Sequence, residues 1–290
     1  MPHSLLTERT PLMTDTRDHH KRLPLRVGLI GFGAIGRRLA EAIAAGEAGR
    51  CELGAVLVRR PERIDAETAA RLGCLVTGDA ADFLATRLDL VVEVAGHDAL
   101  KAYAEDILRQ GKDLLLISVG ALADPAFEAR LYRAAHDYGQ RVYLATGAIA
   151  GLDAIAAGAV GGLSAVTHSV RKPPAGLLPP DEIAQAVADG VPRVLYEGPA
   201  REAALRFPEN VNVAAAISLA GLGLDKTTVR IVADPTVVRN THEIEARGEF
   251  GELRIVLQNI PTENPKTGRL TAMSMIKALR NLTADVVVGL

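Results

Sequence analysis

The chain has 290 residues, of which 48% are hydrophobic and 23% charged, and a formal net charge of −2. That balance is ordinary for a folded globular protein of one large or two smaller domains, and it points away from a polyanionic partner such as nucleic acid. Five Phe, five Tyr and no Trp give little surface for base stacking, and two cysteines, Cys51 and Cys74, make neither a disulfide framework nor a Cys-rich zinc site, so no metal is expected and a reducing cytoplasm fits best.

Residues 1–23 are polar, carry charges of both signs and lack the long apolar core of a signal peptide, so they read as a flexible leader. A short apolar run from Arg26 then ends in Gly31-x-Gly33-x-x-Gly36, and a helical pattern over Ala34–Ala45 follows at once. In a strand–turn–helix each glycine has its own task. Gly31 makes the tight turn, Gly33 lets a pyrophosphate approach the backbone, and Gly36 lets helix and strand pack closely. The free N–H groups and positive dipole end of the helix, with Ala34 and Ile35 in its first turn, face the phosphates. The expectation is a dinucleotide site. Cys51–Val58 is the second strand, and a NAD-selective site carries a carboxylate at its end. Here the strand runs into Val58-Arg59-Arg60-Pro61, with Glu52 at the wrong end. The two arginines either meet a 2′-phosphate or form a solvated turn, so the cofactor is NAD or NADP.

Strands and helices keep alternating: helix Glu62–Arg71, strand Cys74–Thr77, helix Asp79–Ala85, strand Asp89–Ala95, helix Asp98–Gln110, strand Asp113–Ser118, helix Pro125–Tyr138 and strand Arg141–Ala145. This rhythm predicts a Rossmann-type, doubly wound parallel sheet. Glu93 sits inside a buried-strand run, toward the end on which such sheets bind ligands, and Ala95-Gly96-His97 follow it. The apolar run Leu144–Val166 raises the question of a membrane span, but Asp153 and five glycines favour a buried helix and turn.

After Gly147 the rhythm changes. Helices are expected at Gly151–Ala159, Pro180–Ala188, Pro199–Arg206 and Val211–Leu219, and strands at Ala165–Lys172, Arg193–Glu197, Thr228–Ala233, Thr241–Ala246 and Glu252–Gln258, with a turn at Gly248 and Gly251. That is an α+β domain with a mostly antiparallel sheet. The expected division is a dinucleotide-binding domain over 24–146, a catalytic domain over 147–264, and a C-terminal helix within 265–290 that rejoins the first domain.

Several segments now line up. They are Glu93-x-Ala95-Gly96-His97, Ser118-Val119-Gly120-Ala121, Gly147-Ala148-Ile149, Arg171-Lys172-Pro173, Asn210-Val211-Asn212, Ala233-Asp234-Pro235, Asn240-x-His242 and Asn264-Pro265-Lys266-Thr267. As an ordered set they closely resemble the L-aspartate dehydrogenase family, over about residues 25–290. The resemblance implies that His242 is the catalytic histidine and that Ala148 and Asn212 bind the cofactor. It implies a homodimer that oxidises L-aspartate to iminoaspartate with NAD or NADP, water then giving oxaloacetate and ammonia, with iminoaspartate feeding NAD synthesis in some bacteria. One departure is Gly268, where the family often has Ser after the Thr.

The residues themselves support such chemistry. Hydride loss from the α-carbon of an amino acid needs a base that can take the amine proton, and His is the side chain best poised for that near neutral pH. His97 is the rival to His242; it follows the Glu93 strand and could position rather than catalyse. His168 lies on a strand with no polar partner nearby in sequence and reads as a packed histidine. A dicarboxylate needs cationic clamps, for which Arg171 or Lys172 is the candidate, although the pair could equally be a charged strand end. Asn210 and Asn212 flank a helix start, one as a cap and the other reaching the nicotinamide carboxamide. Ser118, Ala95 and Gly96 fall on the cofactor side. The alternatives are a dehydrogenase or reductase of similar plan, homoserine dehydrogenase-like or dihydrodipicolinate reductase-like, and a dinucleotide sensor without turnover.

Overall fold

The computed structural model describes residues 23–207, 211–260 and 269–289. Residues 1–22 of the expected leader, Asn210 and the Asn264-Pro265-Lys266-Thr267 segment lie outside them. Six short runs of β-forming residues make one parallel sheet: β1 (Leu25–Ile30), β2 (Cys51–Leu57), β3 (Leu75–Thr77), β4 (Leu90–Glu93), β5 (Asp113–Leu116) and β6 (Val142–Leu144). Their order, β3-β2-β1-β4-β5-β6, is the Rossmann order, and it reverses between β1 and β4. A crevice therefore opens beyond the carboxyl ends of those two strands.

The helices α1 (Ala34–Ala44), α2 (Ala66–Leu72), α3 (Ala80–Ala85), α4 (His97–Arg109) and α5 (Pro125–Tyr138) separate the strands. Because both faces of the sheet are covered, the strands are apolar throughout rather than alternating. Val27, Leu29, Val56, Leu90, Val92 and Leu115 share one buried cluster with Leu39 and Ile43 of α1. Met275, Ile276 and Leu279 complete it, so the last helix, α10 (Arg269–Thr283), packs on this first sheet. Ile30, Leu57, Val91, Leu114 and Leu116 belong to the other cluster, with Phe83, Ile107 and Phe127. The expected helix over Glu62–Arg71 is divided. A 3-10 turn occupies Pro61–Arg63, and α2 begins at Ala66 because Asp65 caps it, accepting from the Thr68 N–H at 2.7 Å.

The second half contains α6 (Leu152–Gly161), β7 (Leu163–Lys172), α7 (Pro180–Asp189), β8 (Arg193–Pro199), α8 (Ala200–Arg206), α9 (Val211–Ala220), β9 (Thr228–Ala233), β10 (Thr241–Gly248) and β11 (Gly251–Gln258). The strands form a sheet of order β11-β10-β7-β9-β8, in which only the β7–β9 pairing is parallel. β10 and β11 are joined by the turn at Glu249-Phe250, with Gly251 at φ 111°, a conformation that favours glycine. The apolar stretch Leu144–Val166 is divided by turns at Gly147 and Gly151, and no described helix is long and apolar enough to cross a membrane.

The inner face of the second sheet (Val166, Val170, Ile231, Ile244) shares a cluster with Ile155 of α6, Ala214 and Ile217 of α9, and the first-half residues above. α9 also packs on the segment Val119–Ala123 that follows β5. One apolar core thus runs through both halves.

Candidate active site

Backbone geometry explains the glycine pattern. Gly31 has φ 102°, and a Cβ there would lie 3.0 Å from the backbone of Ala95. A Cβ on Gly36 would lie 2.3 Å from the Gly31 carbonyl oxygen. Neither position accepts a side chain. Among the described residues Gly33, in contrast, faces open space, and no side chain caps the N-terminus of α1 behind it, where Ala34 is exposed and Ile35 half-buried. Free N–H groups beneath an unobstructed backbone are what a pyrophosphate requires, so these residues fit a dinucleotide.

Beside Gly33 lies a cleft of about 490 Å³ lined by Phe32, Arg37, Arg59, Arg60, Arg63 and Asp65, among others. Arg59 and Arg60 therefore share a cleft with the phosphate turn. Arg37 and Arg63 join them, and neither was singled out from the sequence. Arg37 lies four residues after Gly33, the helical spacing that returns it to the same side, and its guanidinium sits 5.7 Å from the Phe32 ring centre. The Asp65 carboxylate is committed to the cap of α2, accepting also from the Thr68 hydroxyl at 2.9 Å.

At the end of β4, Glu93 is fully buried. Its Oε1 accepts from the Ala95 and Gly96 N–H groups, both at 2.7 Å, and from the Ser118 hydroxyl at 2.9 Å. Its Oε2 accepts from the Ser118 N–H at 3.2 Å. Burial pushes the carboxyl above its ordinary range, and these four donors pull it back. One side chain thus ties the loop after β4 to the loop after β5, and the Ser118 hydroxyl is used within the protein. Gly96, at φ 117°, then turns the chain so that His97 begins α4.

His97 meets the second half. Its Nε2 lies 2.9 Å from Oδ1 of Asn212 on α9, and the same oxygen accepts from the Gly120 N–H at 2.9 Å. A backbone N–H can only donate, which identifies the Asn212 atom as oxygen. His97 therefore donates from Nε2, and that nitrogen is not a free base in this arrangement.

His242 lies near the start of β10 and is 8% exposed. Alternation places it on the inner face, and its register partner on β7 is Val170. Arg171 belongs to the other face. It pairs in register with Thr241, and its guanidinium makes ion pairs with Asp234 at 3.0 Å and Glu243 at 3.2 Å. The structure thus places Arg171 on the sheet face away from His242, engaged with two carboxylates. Lys172, one residue on, shares the His242 face. Burial and the Lys172 ammonium together push the His242 imidazole down to about 4, below the ordinary range expected from its residue type.

His168 is the functional neighbour that sequence reasoning missed. It is fully buried, as a packed histidine should be, but its Nε2 lies 3.1 Å from Nδ1 of His242. The rings are 12° from parallel, with centres 5.3 Å apart. The partner is 74 positions away in sequence and two register positions away across the sheet. Asn259 was also missed. It follows β11, its Nδ2 donates to the Ala148 carbonyl at 2.9 Å, and its N–H donates to the Asn240 carbonyl at 3.0 Å. The turn after β6 is thereby tied to the segment that leads into His242, at the carboxyl edge of the parallel sheet. Among the described residues no group of three or more His, Cys, Asp or Glu is arranged to hold a metal ion.

The geometry thus combines a dinucleotide cradle, a buried carboxylate that fixes two loops, and a buried imidazole carried by the opposite half. Comparison with known proteins adds to this. The family model described as aspartate dehydrogenase, C-terminal, matches residues 153–282, and that described as homoserine dehydrogenase, NAD binding domain, matches residues 31–145. An L-aspartate dehydrogenase 2 of Bordetella bronchiseptica is 41% identical, over 91% of this chain and 99% of the relative. An L-aspartate dehydrogenase of Methanosarcina barkeri is 38% identical over the same shares, 91% and 99%. The crystal structure of an aspartate dehydrogenase from Thermotoga maritima superposes with a TM-score of 0.72 at 28% identity, covering 91% of this chain and 99% of that one.

Proposed function

This chain belongs to the L-aspartate dehydrogenase family, and we propose that its cleft oxidises L-aspartate to iminoaspartate with NAD or NADP, water then releasing oxaloacetate and ammonia. The observation that carries this reading is a buried His242 whose strand is tied, through Asn259, to the carboxyl edge of a dinucleotide-binding sheet, with burial and Lys172 pushing its imidazole down.

The bound dinucleotide would accept the α-hydrogen of the substrate as hydride, with its pyrophosphate over Gly33 and the end of α1. Everything else falls to this chain. His242, uncharged at neutral pH, takes the proton that the amine gives up as the C=N bond forms. In the reverse direction it returns that proton. Lys172, on the same strand face, holds a substrate carboxylate. Asn212 and His97 brace each other across the two halves, so the amide of Asn212 is fixed in place for the nicotinamide side. Glu93 holds the backbone of Ala95, Gly96 and Ser118 and stays out of the proton transfer, because it is fully buried and committed to four donors within the protein. Arg59 and Arg60, with Arg37 and Arg63, receive a 2′-phosphate when the cofactor is NADP.

The test is the absorbance of reduced nicotinamide formed by the purified chain with L-aspartate and either cofactor. Formation with L-aspartate and not with L-homoserine is the expected result. A preparation that binds the dinucleotide but reduces none of it with L-aspartate overturns the reading.

A further inference from the structure

Two imidazoles in contact share one hydrogen, and which ring carries it decides what the outer ring can do. If His168 donated from Nε2, Nδ1 of His242 would be the acceptor and the hydrogen of His242 would sit on its own Nε2. A neutral ring in that tautomer has no lone pair left with which to take a proton from an amine. In the opposite arrangement Nδ1 of His242 donates to Nε2 of His168, and Nε2 of His242 is bare. The protonated ring requires the same direction, because an imidazolium carries hydrogen on both nitrogens and Nδ1 then has only donation to offer across the 3.1 Å contact.

We propose that His168 is a positioning residue: its Nε2 accepts the Nδ1–H of His242 and thereby holds the other nitrogen of His242 bare toward the substrate amine. This rests on His242 being the acid/base residue. The near-parallel rings, 5.3 Å apart at their centres, hold the orientation of His242 as well as its tautomer.

A second feature supports a functional rather than a packing role. In the proposed arrangement the hydrogen of His168 lies on Nδ1, an atom that is buried and, among the described residues, has no hydrogen-bond partner. Leaving a polar atom so placed is unfavourable, and an apolar side chain would pack there without that penalty. Among the described residues no group is placed to receive a proton from that Nδ1. The role of His168 stops at orientation.

Among the described residues, this contact is the main control on the tautomer. From β7, His168 and Lys172 face His242, and the β11 residue in register with it is Leu257. The carboxylate of α6, which packs on β10, is Asp153, and it is exposed. Glu243, next to His242 in sequence, lies on the other face with Arg171. A neutral acceptor in place of a carboxylate keeps His242 a weak base, in line with the low value that burial and Lys172 give it.

The experiment is a long-range ¹H–¹⁵N correlation of the full chain labelled at histidine, with His242 assigned through His242→Gln, alongside kinetics of His168→Leu and His168→Gln. In the wild-type chain His242 should carry its hydrogen on Nδ1. His168→Leu should lower kcat about 10- to 100-fold, the usual effect of losing such a support, with KM for aspartate and cofactor affinity unchanged. His168→Gln, whose amide oxygen can accept at the same place, should recover most of the rate. A wild-type His242 with hydrogen on Nε2 overturns the proposal whether or not the leucine variant folds, and so does a folded His168→Leu with wild-type kcat. Wild-type kcat in His242→Gln instead overturns the role assigned to His242 and leaves the hydrogen-bond direction to be read from the spectrum.

Discussion

At the scale of single residues the site turns on two histidines and on the neighbours that depress them. His242→Ala should lower kcat by about 10²- to 10⁴-fold while NAD(P)H binding persists, which fluorescence titration of the reduced cofactor checks. The pH profile carries more information. Because His242 is held at about 4, the acid limb of kcat/KM, which reports the free enzyme, should lie well below the 6.5 of an unperturbed imidazole. Bound substrate carboxylates offset the Lys172 ammonium, so the acid limb of kcat should lie higher than that of kcat/KM. A kcat/KM limb at 6.5 contradicts the assignment. Lys172→Ala should raise KM for aspartate and leave cofactor affinity unchanged. Arg171→Ala should leave KM alone but cost about 1–3 kcal/mol of stability, because it strips a partner from the buried Asp234 carboxylate. Equal effects of the two substitutions on KM contradict the face assignment. Part of this was legible in the sequence. Asn240-x-His242 marks the histidine, and Arg171-Lys172 marks the clamp candidates. Assigning those two to opposite faces needed the register of β7 on β10, and so did finding His168. A cross-strand neighbour leaves no trace at any fixed spacing in the chain.

At the scale of elements, legibility followed the strength of the local signal. Long amphipathic helices such as α4 and α5, and fully buried strands such as β1 and β5, lie within a few residues of where their patterns place them. The start of α2 was misread because Pro61 and Glu62 suit a first helical turn, whereas the Asp65 cap sits four residues later. The same short segment hid Arg63 of the arginine cluster. Arg63 belongs to the 3-10 turn directly after Arg60 and Arg37 to the exposed side of α1, and the packing of α1 against β2 brings Arg37 beside Arg59 and Arg60. Both NAD and NADP should support turnover. Alanine at each of the four arginines in turn should lower kcat/KM for NADP more than for NAD, by about 1–3 kcal/mol where the guanidinium contacts the 2′-phosphate. If the wild-type chain prefers NAD by more than about a hundredfold, roughly 2.7 kcal/mol, the cluster does not serve that phosphate. A variant that weakens both cofactors alike marks an arginine acting on the shared part of the dinucleotide.

At the scale of the whole molecule the two halves are joined by contacts that no motif announces. Arg201 on α8 holds both carboxylate oxygens of Asp225, at 2.6 and 2.9 Å, and donates to the Ala123 carbonyl in the first half at 2.9 Å. The core is continuous, so protons that act on the buried histidines act on the stability of the chain as a unit. As pH falls below about 6.5 the histidines of an unfolded chain take up protons. The folded chain resists until His242 reaches about 4, and His168 is pushed lower than its ordinary value too, by its own burial and by the neighbouring ring. Between those limits the unfolded state binds more protons, so stability is full above about 6.5 and declines as the medium is acidified. A shift from 6.5 to about 4 corresponds to about 3 kcal/mol for His242 alone, a sizeable share of the roughly 5–15 kcal/mol that holds a domain folded. Glu93 works in the opposite sense. Its carboxyl is raised by burial, so its contribution is greatest at low pH and is lost as pH rises through its folded value. The histidine pair should win, because two depressed groups stand against one whose four donors restrain its rise. The denaturation midpoint should therefore fall steadily from pH 7 toward pH 4. His168→Leu removes one of the two proton-binding differences, so its midpoint should fall less over the same range and should match or exceed that of the wild-type chain at the acid end. A variant whose midpoint follows the same slope as the wild-type chain would show that His168 is not held neutral by the fold.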